Sequence, residues 1–463
     1  MIRRALIAAV MTVAAALLVL APVLSGSVGG ADPVVLRAVG VLLFAIGSWA
    51  LAALPEFITA IVFFLVAMVF QIAPASTVFS GFASTAWWLV FGGLVAGIAI
   101  DMTGLGRRLA RAIDNRLTRS YLGILAGLAL VAVALAFLMP STMGRVVLMM
   151  PIVLALADRL DFAQGSKGRA GLVMTAMLAT FVPSTGILPA NVPNMVLLGA
   201  AEALYGIKFT YGPYLLLHFP IVGVLYLAML VPVVAYLLPD RPRAMPSQPP
   251  AVPMSHEERK LAWILGAALA LFALDVWHGV SPAWVSLAAG LVCLLPGIGL
   301  VSAKAFSERM NLAVLVYVAG IIGAGALISE SGLGNRLGTV LIEVLRPTPG
   351  ADLWNFAAYA GAFVLTGLIT TMVAQPAVLT PMAERLAEAA GLPVATVLMM
   401  EVLGFASVLL PYQSPPLVVG LQLGGVAWRD GARVCLIMGG LTVAILLPIA
   451  YVWWRFLGWI GAG

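Results

Sequence analysis

The stretch MPSTMGRVVLMMPIV, from Met139 to Val153, sets two hydroxyls, Ser141 and Thr142, and one arginine, Arg145, in surroundings that are otherwise close to hydrocarbon. An arginine near the middle of a bilayer costs about 2.5 to 3.5 kcal/mol on insertion scales, so it is retained for an interior role. Two main roles fit the residue type. Its planar fork can bind a substrate carboxylate or oxyanion bidentately. Alternatively it pairs with Glu401, which lies in the apolar run ATVLMMEVLGFA; snorkelling to the cytoplasmic face is the third option. Glu401 is in turn either a proton-coupling carboxyl or a counter-ion. Ser141 and Thr142 either cap a helix start or bind a ligand at a chain break, and the two uses can coexist.

Further polar groups recur in the same setting. PSTGILPANVPN interleaves Ser184, Thr185, Asn191 and Asn194 with prolines and a glycine, and PYQSPP brings Gln413, Ser414 and Pro415. Half-helices starting near Gly144 and near Gln375 would aim unpaired N–H groups and positive dipole ends at an anion. The substrate-binding candidates are therefore Ser141, Thr142, Arg145, Asn191, Asn194, Gln375, Gln413, Ser414 and Pro415; the alternative is that these side chains satisfy unwound backbone. Ser141, Thr142, Ser184, Thr185 and Glu401 are the candidates for a coupling ion, Na+ or H+. His218, beside Pro220, reads as a hydrogen-bonded helix residue, and His256 and His278 fall in loops.

The elements that must position these groups follow from composition. Of the 463 residues 62% are hydrophobic and 10% charged, which indicates an all-α polytopic membrane protein. Every backbone polar group in hydrocarbon must be satisfied within its own segment, and the ten-residue alternation of a barrel is absent. The net charge of +6 then reflects basic loops on one side of a bilayer and not nucleic-acid binding. Cys293 and Cys435 lack CxxC spacing, so neither a disulfide framework nor a metal site is expected. The opening MIRR and Ala5 to Leu24 read as a retained first helix and not a cleaved signal.

Further spans are expected at Val34 to Leu54, Phe57 to Ile72, Ala86 to Asp101, Tyr121 to Met139 and Tyr214 to Leu238, within a total of about 11 spanning helices. The arm from Arg145 to Ala157 falls short of the roughly 20 apolar residues a crossing needs, so the tip at 140–144 and its arms read as a re-entrant hairpin. The helix over 171–203 is expected to break at PSTGILPANVPN and to resume at Met195. Broken helices at that depth line a cavity or are buried in protein.

The second half repeats the first. Gly92, Ala96, Gly97, Gly104, Leu105, Gly106, Arg108 and Leu109 meet, at one constant offset, Gly320, Ala324, Gly325, Gly332, Leu333, Gly334, Arg336 and Leu337. A half-length repeat in a membrane protein points to a transporter of two related bundles. The resulting division is a first helix and loop at 1–33, a first repeat at 34–238, a proline-rich cytoplasmic linker at 239–259 and a second repeat at 260–463. The second repeat carries a hairpin tip at 370–376 and a broken helix at 394–426. With the amino terminus in the cytoplasm, inverted repeats place most lysines and arginines inside, as the positive-inside rule requires.

FGGLVAGIAIDMTGLGRRLARAI, the hairpin ending in PIVLALA, the broken helix with VPN and their weaker copies resemble the divalent anion/sodium symporter family, from about Gly81 to the carboxyl end. Family members carry Ser-Asn-Thr at each hairpin tip, ten residues before a proline. Here the positions before Pro151 are Ser141, Thr142 and Met143, and those before Pro381 are Thr371, Met372 and Val373, so both asparagines are missing. The resemblance implies that the tips and breaks hold sodium and substrate carboxylates, which adds Thr371 to both candidate sets. It gives Arg145 a further role, replacing the sodium ion that the lost asparagine would help to bind. It also implies a homodimer with an elevator-like motion.

The expected function is alternating-access secondary transport of small anions, di- or tricarboxylates or an inorganic oxyanion, across the inner (plasma) membrane, with sodium indifference as one expectation. The partners are the anion, the lipid bilayer and a second copy of the chain, with no nucleic acid and no cofactor. No assembled enzyme motif is present. The alternative is another ion-transporter-superfamily carrier, for arsenite or for sodium/proton exchange.

Overall fold

The computed structural model describes residues 12–20, 33–51, 53–111, 120–139, 141–242 and 253–461. The 140 end of the first tip, the loop at 112–119 and linker residues 243–252 lie outside the described residues, as do 1–11 and 21–32 around the first helix. Among the described residues there is no strand. Residues 12–20 are helical. After them come α1 (Pro33–Leu51), α2 (Glu56–Val69), α3 (Thr85–Thr103), α4 (Leu105–Arg111), α5 (Tyr121–Leu138), α6 (Thr142–Arg159), α7 (Lys167–Thr185), α8 (Val192–Tyr205) and α9 (Tyr211–Leu237). The later part adds α10 (His256–Ala273), α11 (Pro282–Leu294), α12 (Leu312–Glu330), α13 (Leu333–Leu345), α14 (Asp352–Thr366), α15 (Gln375–Leu379), α16 (Ala383–Ala390), α17 (Val394–Ala406), α18 (Pro415–Gly424) and α19 (Trp428–Phe456).

Helix starts are set by small polar side chains. Ser120, Ser141, Ser166 and Asn191 each accept a hydrogen bond from the backbone N–H three residues on, at 3.1 to 3.2 Å, and so cap α5 to α8. Two of these caps correct the sequence reading. The hydroxyl of Ser141 starts α6 at Thr142, and α6 runs to Arg159, so its 18 residues exceed the short arm expected from Arg145 to Ala157. Asn191 restarts the broken helix at Val192, not at Met195.

Among the described residues α3, α5, α9, α12 and α19 are long and apolar enough to cross a membrane. Of the shorter apolar helices, α8, α17 and α18 are limbs of helices that the chain divides. α7 and α8 are two limbs separated at Gly186 to Asn191, and α17 and α18 are two limbs separated at Ser407 to Ser414. The last helix of each half, α9 and α19, contains a π-helical stretch, Phe219–Leu225 and Thr442–Leu446, each with a proline at hand (Pro220, Pro448) whose missing N–H disrupts the regular ladder.

The repeated glycines have physical reasons. Gly104 and Gly332 have φ of +81° and +72°, the left-handed turn that lets α3 pass into α4 and α12 into α13. Gly92 and Gly320 serve close helix crossings: a Cβ on Gly92 would stand 2.3 Å from the Ser286 carbonyl oxygen of α11, and one on Gly320 2.5 Å from Ala60 Cβ of α2. Each half therefore lays its glycine-bearing helix on a helix of the other half. The Ser286 hydroxyl donates to the Leu89 carbonyl at 3.0 Å, and the Trp87 indole N–H donates to the Leu315 carbonyl at 3.1 Å, across the same junction.

Candidate functional site

A cavity of about 2190 Å³ runs along α6. Its lining includes Ser141, Thr142 and Gly144 at the first turn of α6 and Arg159 at the last, so it extends for about 27 Å at 1.5 Å per residue. The first break contributes Pro189, Asn191 and Pro193, and the second half contributes Tyr317, Val373, Pro415 and Pro416. At the other end stand Arg107, Arg108, Arg159 and Arg309 with Asp101 and Glu258. Two ion pairs tie that mouth together, Arg108 to Glu258 at 2.8 Å and Arg309 to Asp101 at 3.0 Å. The N-terminus of α6 and the arginines both favour a negative guest.

Arg145 does not line the cavity and does not meet Glu401. Its side chain is fully buried, and the guanidinium faces oxygen atoms from three parts of the first half. Nη1 donates to the Met139 carbonyl at the hairpin tip and, at 2.9 Å, to the Ala190 carbonyl in the break. Nη2 donates at 3.1 Å to the Thr180 carbonyl of α7 and to the hydroxyl of Thr142. The expected pairing with Glu401 is absent: both Nη atoms of Arg145 donate within the first half, while Glu401 accepts from the Thr380 hydroxyl at 3.0 Å. The fork of Arg145 is turned into the protein, behind Ser141 and Thr142, and not toward the cavity.

The other candidates divide between the cavity and the backbone behind it. Ser141, Thr142, Asn191 and Pro415 line the cavity. Asn194 sits beneath it, with Nδ2 at 2.9 to 3.4 Å from the carbonyls of Ser184, Thr185, Ile187 and Leu188, so it fastens the unwound segment. The hydroxyls of Ser184 and Thr185 donate to their own helix, at the carbonyls of Phe181 and Val182, and Asn191 Nδ2 reaches the Ser184 hydroxyl at 3.3 Å. His218, fully buried, lies 3.4 Å from the Met399 sulfur, away from the cavity lining.

The second tip is built from neutral groups. Gln375 Nε2 donates to the Phe363 carbonyl and, at 2.8 Å, to the Thr366 hydroxyl; Gln413 Oε1 accepts from the N–H groups of Leu409 and Leu410. The Met372 N–H donates to the Gln413 carbonyl at 3.0 Å and the Tyr412 hydroxyl to the Leu368 carbonyl at 2.6 Å, so one backbone bond and one tyrosine hydroxyl join the two segments here. Thr371 is nearly buried and its hydroxyl accepts from the Ala374 N–H at 3.4 Å. Thr370 Oγ1, Gln375 Oε1, Gln413 Nε2 and Ser414 Oγ, all buried, have no hydrogen-bond partner in the protein.

Sequence reasoning missed Tyr317, which enters the cavity from α12 beside Thr371; a polar ring inside the apolar run LAVLVYVAG was the available signal. It also missed the mouth, because Arg107, Arg108, Arg159 and Arg309 read only as loop charges.

The chain resembles known proteins throughout its length. The family model described as the sodium:sulfate symporter transmembrane region matches residues 4–460. The citrate/succinate antiporter of Escherichia coli K12 is 26% identical over 411 residues, covering 81% of this chain and 80% of that protein. The chloroplastic dicarboxylate transporter 2.2 of Arabidopsis thaliana is 25% identical, covering 90% of this chain and 79% of that protein. The crystal structure of the YdaH transporter of Alcanivorax borkumensis shares the fold, with a TM-score of 0.57 at 15% identity over 83% of this chain and 88% of that one. The lost asparagines of the tips do not remove the chain from its family: this multi-pass membrane protein belongs to the divalent anion/sodium symporter family, whose members are transporters and not enzymes.

Proposed function

We propose that this protein carries small di- or tricarboxylates, of the succinate or citrate kind, across the inner membrane by alternating access. The observation that supports this reading most is the cavity bounded by both halves, with the hydroxyls and helix N-terminus of the first tip at one end and four arginines at the other. Relatives that carry the names citrate/succinate antiporter and dicarboxylate transporter favour the same class of cargo and favour exchange. The proposed frame is two inverted repeats, 34–238 and 260–463, with the amino terminus and linker 239–259 in the cytoplasm, a homodimer, and an elevator-like shift of the parts that carry the tips and breaks.

Sodium indifference at the first tip belongs to the same proposal. The guanidinium of Arg145 is held by three carbonyls and a hydroxyl drawn from tip, break and α7, the kind of oxygen cage that a hard cation needs. A tethered cation in that cage removes the need for a mobile one and repels a second at close range. The orphaned oxygens of Thr370, Gln375 and Ser414 favour a second reading, in which one sodium ion binds at the second tip. Uptake of labelled succinate into proteoliposomes, with choline replacing sodium, tests both. Unchanged uptake supports the first reading, and uptake that collapses without sodium supports the second. Absence of uptake for succinate, citrate and tartrate alike would reject di- and tricarboxylates as cargo.

A further inference from the structure

Glu401 lies near the middle of α17 with 0% of its surface exposed, outside the cavity lining. One carboxyl oxygen accepts from the Thr380 hydroxyl at 3.0 Å, and the other meets no hydrogen-bond partner in the protein. None of the ion pairs among the described residues includes it. An unpaired carboxylate in such a place is costly by several kcal/mol, so the group takes a proton to stay there.

The charged and titratable groups on neighbouring elements leave Glu401 without a cation. Glu202 of α8 takes Lys208 and Thr85, and Tyr359 of α14 donates to the Leu386 carbonyl. Arg385 of α16 pairs with exposed Glu388, while α7 carries Lys167 and Arg169 only in its first turn. Asp352 starts α14, and α15 has no charged residue. What does approach is a polar track. The Tyr205 hydroxyl donates to the Thr380 carbonyl at 2.7 Å, and exposed Glu384 lies beside Tyr205. α8 begins at cavity-lining Asn191 and ends at Tyr205, about 20 Å further on, so this track leads away from the cavity mouth.

We propose that Glu401 is a proton-binding site of the transport cycle, loaded and unloaded by water that enters on the side of Tyr205 and Glu384, the face opposite the cavity mouth. The step moves H+ alone: the O–H bond of the Glu401 acid breaks, the proton passes to a water molecule and from there to the Glu384 carboxylate or to bulk water, and the reverse path reloads it. The inference rests on the dicarboxylate reading above. It is tested with proteoliposomes holding the pH dye pyranine and supplied with labelled succinate, so that succinate and protons are counted in the same vesicles. Wild type should move protons with succinate, in a ratio that Glu401→Gln lowers to background for whatever succinate flux remains. Thr380→Val should keep the proton movement and shift its pH dependence. Equal proton movement per succinate in wild type and Glu401→Gln means that the proton rides elsewhere and overturns the proposal. Succinate uptake by wild type with no proton movement overturns it without any variant. Failure of wild type to take up any dicarboxylate removes the underlying reading, and this proposal with it.

Discussion

Replacing Arg145 by alanine exposes the cage that the guanidinium fills. The substitution leaves the carbonyls of Met139, Ala190 and Thr180 and the hydroxyl of Thr142 without their buried donor. Each unsatisfied group costs about 1 to 3 kcal/mol. The losses are not additive, and removing one member of a buried charged network is measured at about 3 to 5 kcal/mol, so the variant should melt well below the wild type. A single ammonium cannot serve the two pairs of oxygens that Nη1 and Nη2 reach separately, so Arg145→Lys should recover only part of the loss. The diagnostic arm is sodium. If the cage is a cation site, sodium at about a hundred times its dissociation constant should return roughly 2.7 kcal/mol to Arg145→Ala while leaving the wild type unmoved. Tryptophan fluorescence melts of detergent-solubilised protein, in sodium against choline, give both numbers. The reasoning is refuted if Arg145→Ala melts within a degree of wild type, or if sodium stabilises both proteins equally.

Asn194→Ala should destabilise the protein by about 1 to 3 kcal/mol for its lost bonds to the break, seen as a lower melting temperature, because Asn194 holds the carbonyls at Ser184 to Leu188 and does not line the cavity; an unchanged melt with weakened succinate binding would return it to the binding site. Gly92→Leu and Gly320→Leu should each destabilise by about 1 to 3 kcal/mol or more through overpacking, since even a Cβ collides with α11 or α2; a large effect at one and none at the other would break the equivalence of the two crossings. Single cysteines at Ala112 and Val340 should be labelled from outside only at Val340 if the repeats are inverted, and labelling at Ala112 alone would reverse the topology.

Much of the fold was legible because membrane backbone physics leaves few options. The chain breaks where prolines crowd, after Thr185 and again at PYQSPP, and the glycines that recur between the halves sit at left-handed turns and close crossings. Boundaries were harder. Ser141 and Asn191 begin their helices earlier than the apolar pattern alone suggested, because a cap is a hydrogen bond of one side chain and leaves no periodic trace.

The sequence marked which polar residues gather at the tips and breaks better than it marked what each one bonds. Ser141, Thr142, Asn191 and Pro415 line the cavity, whereas Asn194 Nδ2, three of the four bonds of Arg145 and Gln413 Oε1 are spent on backbone. The difference has one cause: the partners of Arg145 are mostly main-chain carbonyls, which every residue carries and which a sequence therefore does not mark. A search for a side-chain counter-ion led to Glu401, the acid buried in an apolar run, yet a guanidinium at a chain break needs no acid. Unwound carbonyls of Ala190 and Met139 supply negative potential without bringing a negative charge, so the fixed cation keeps its net charge. That uncancelled charge lies behind the hydroxyls of Ser141 and Thr142, where a dianion in the cavity would feel it. A bound Glu401 would have neutralised it, so the same geometry that disappointed the expected pairing is what leaves the first tip attractive to an anion.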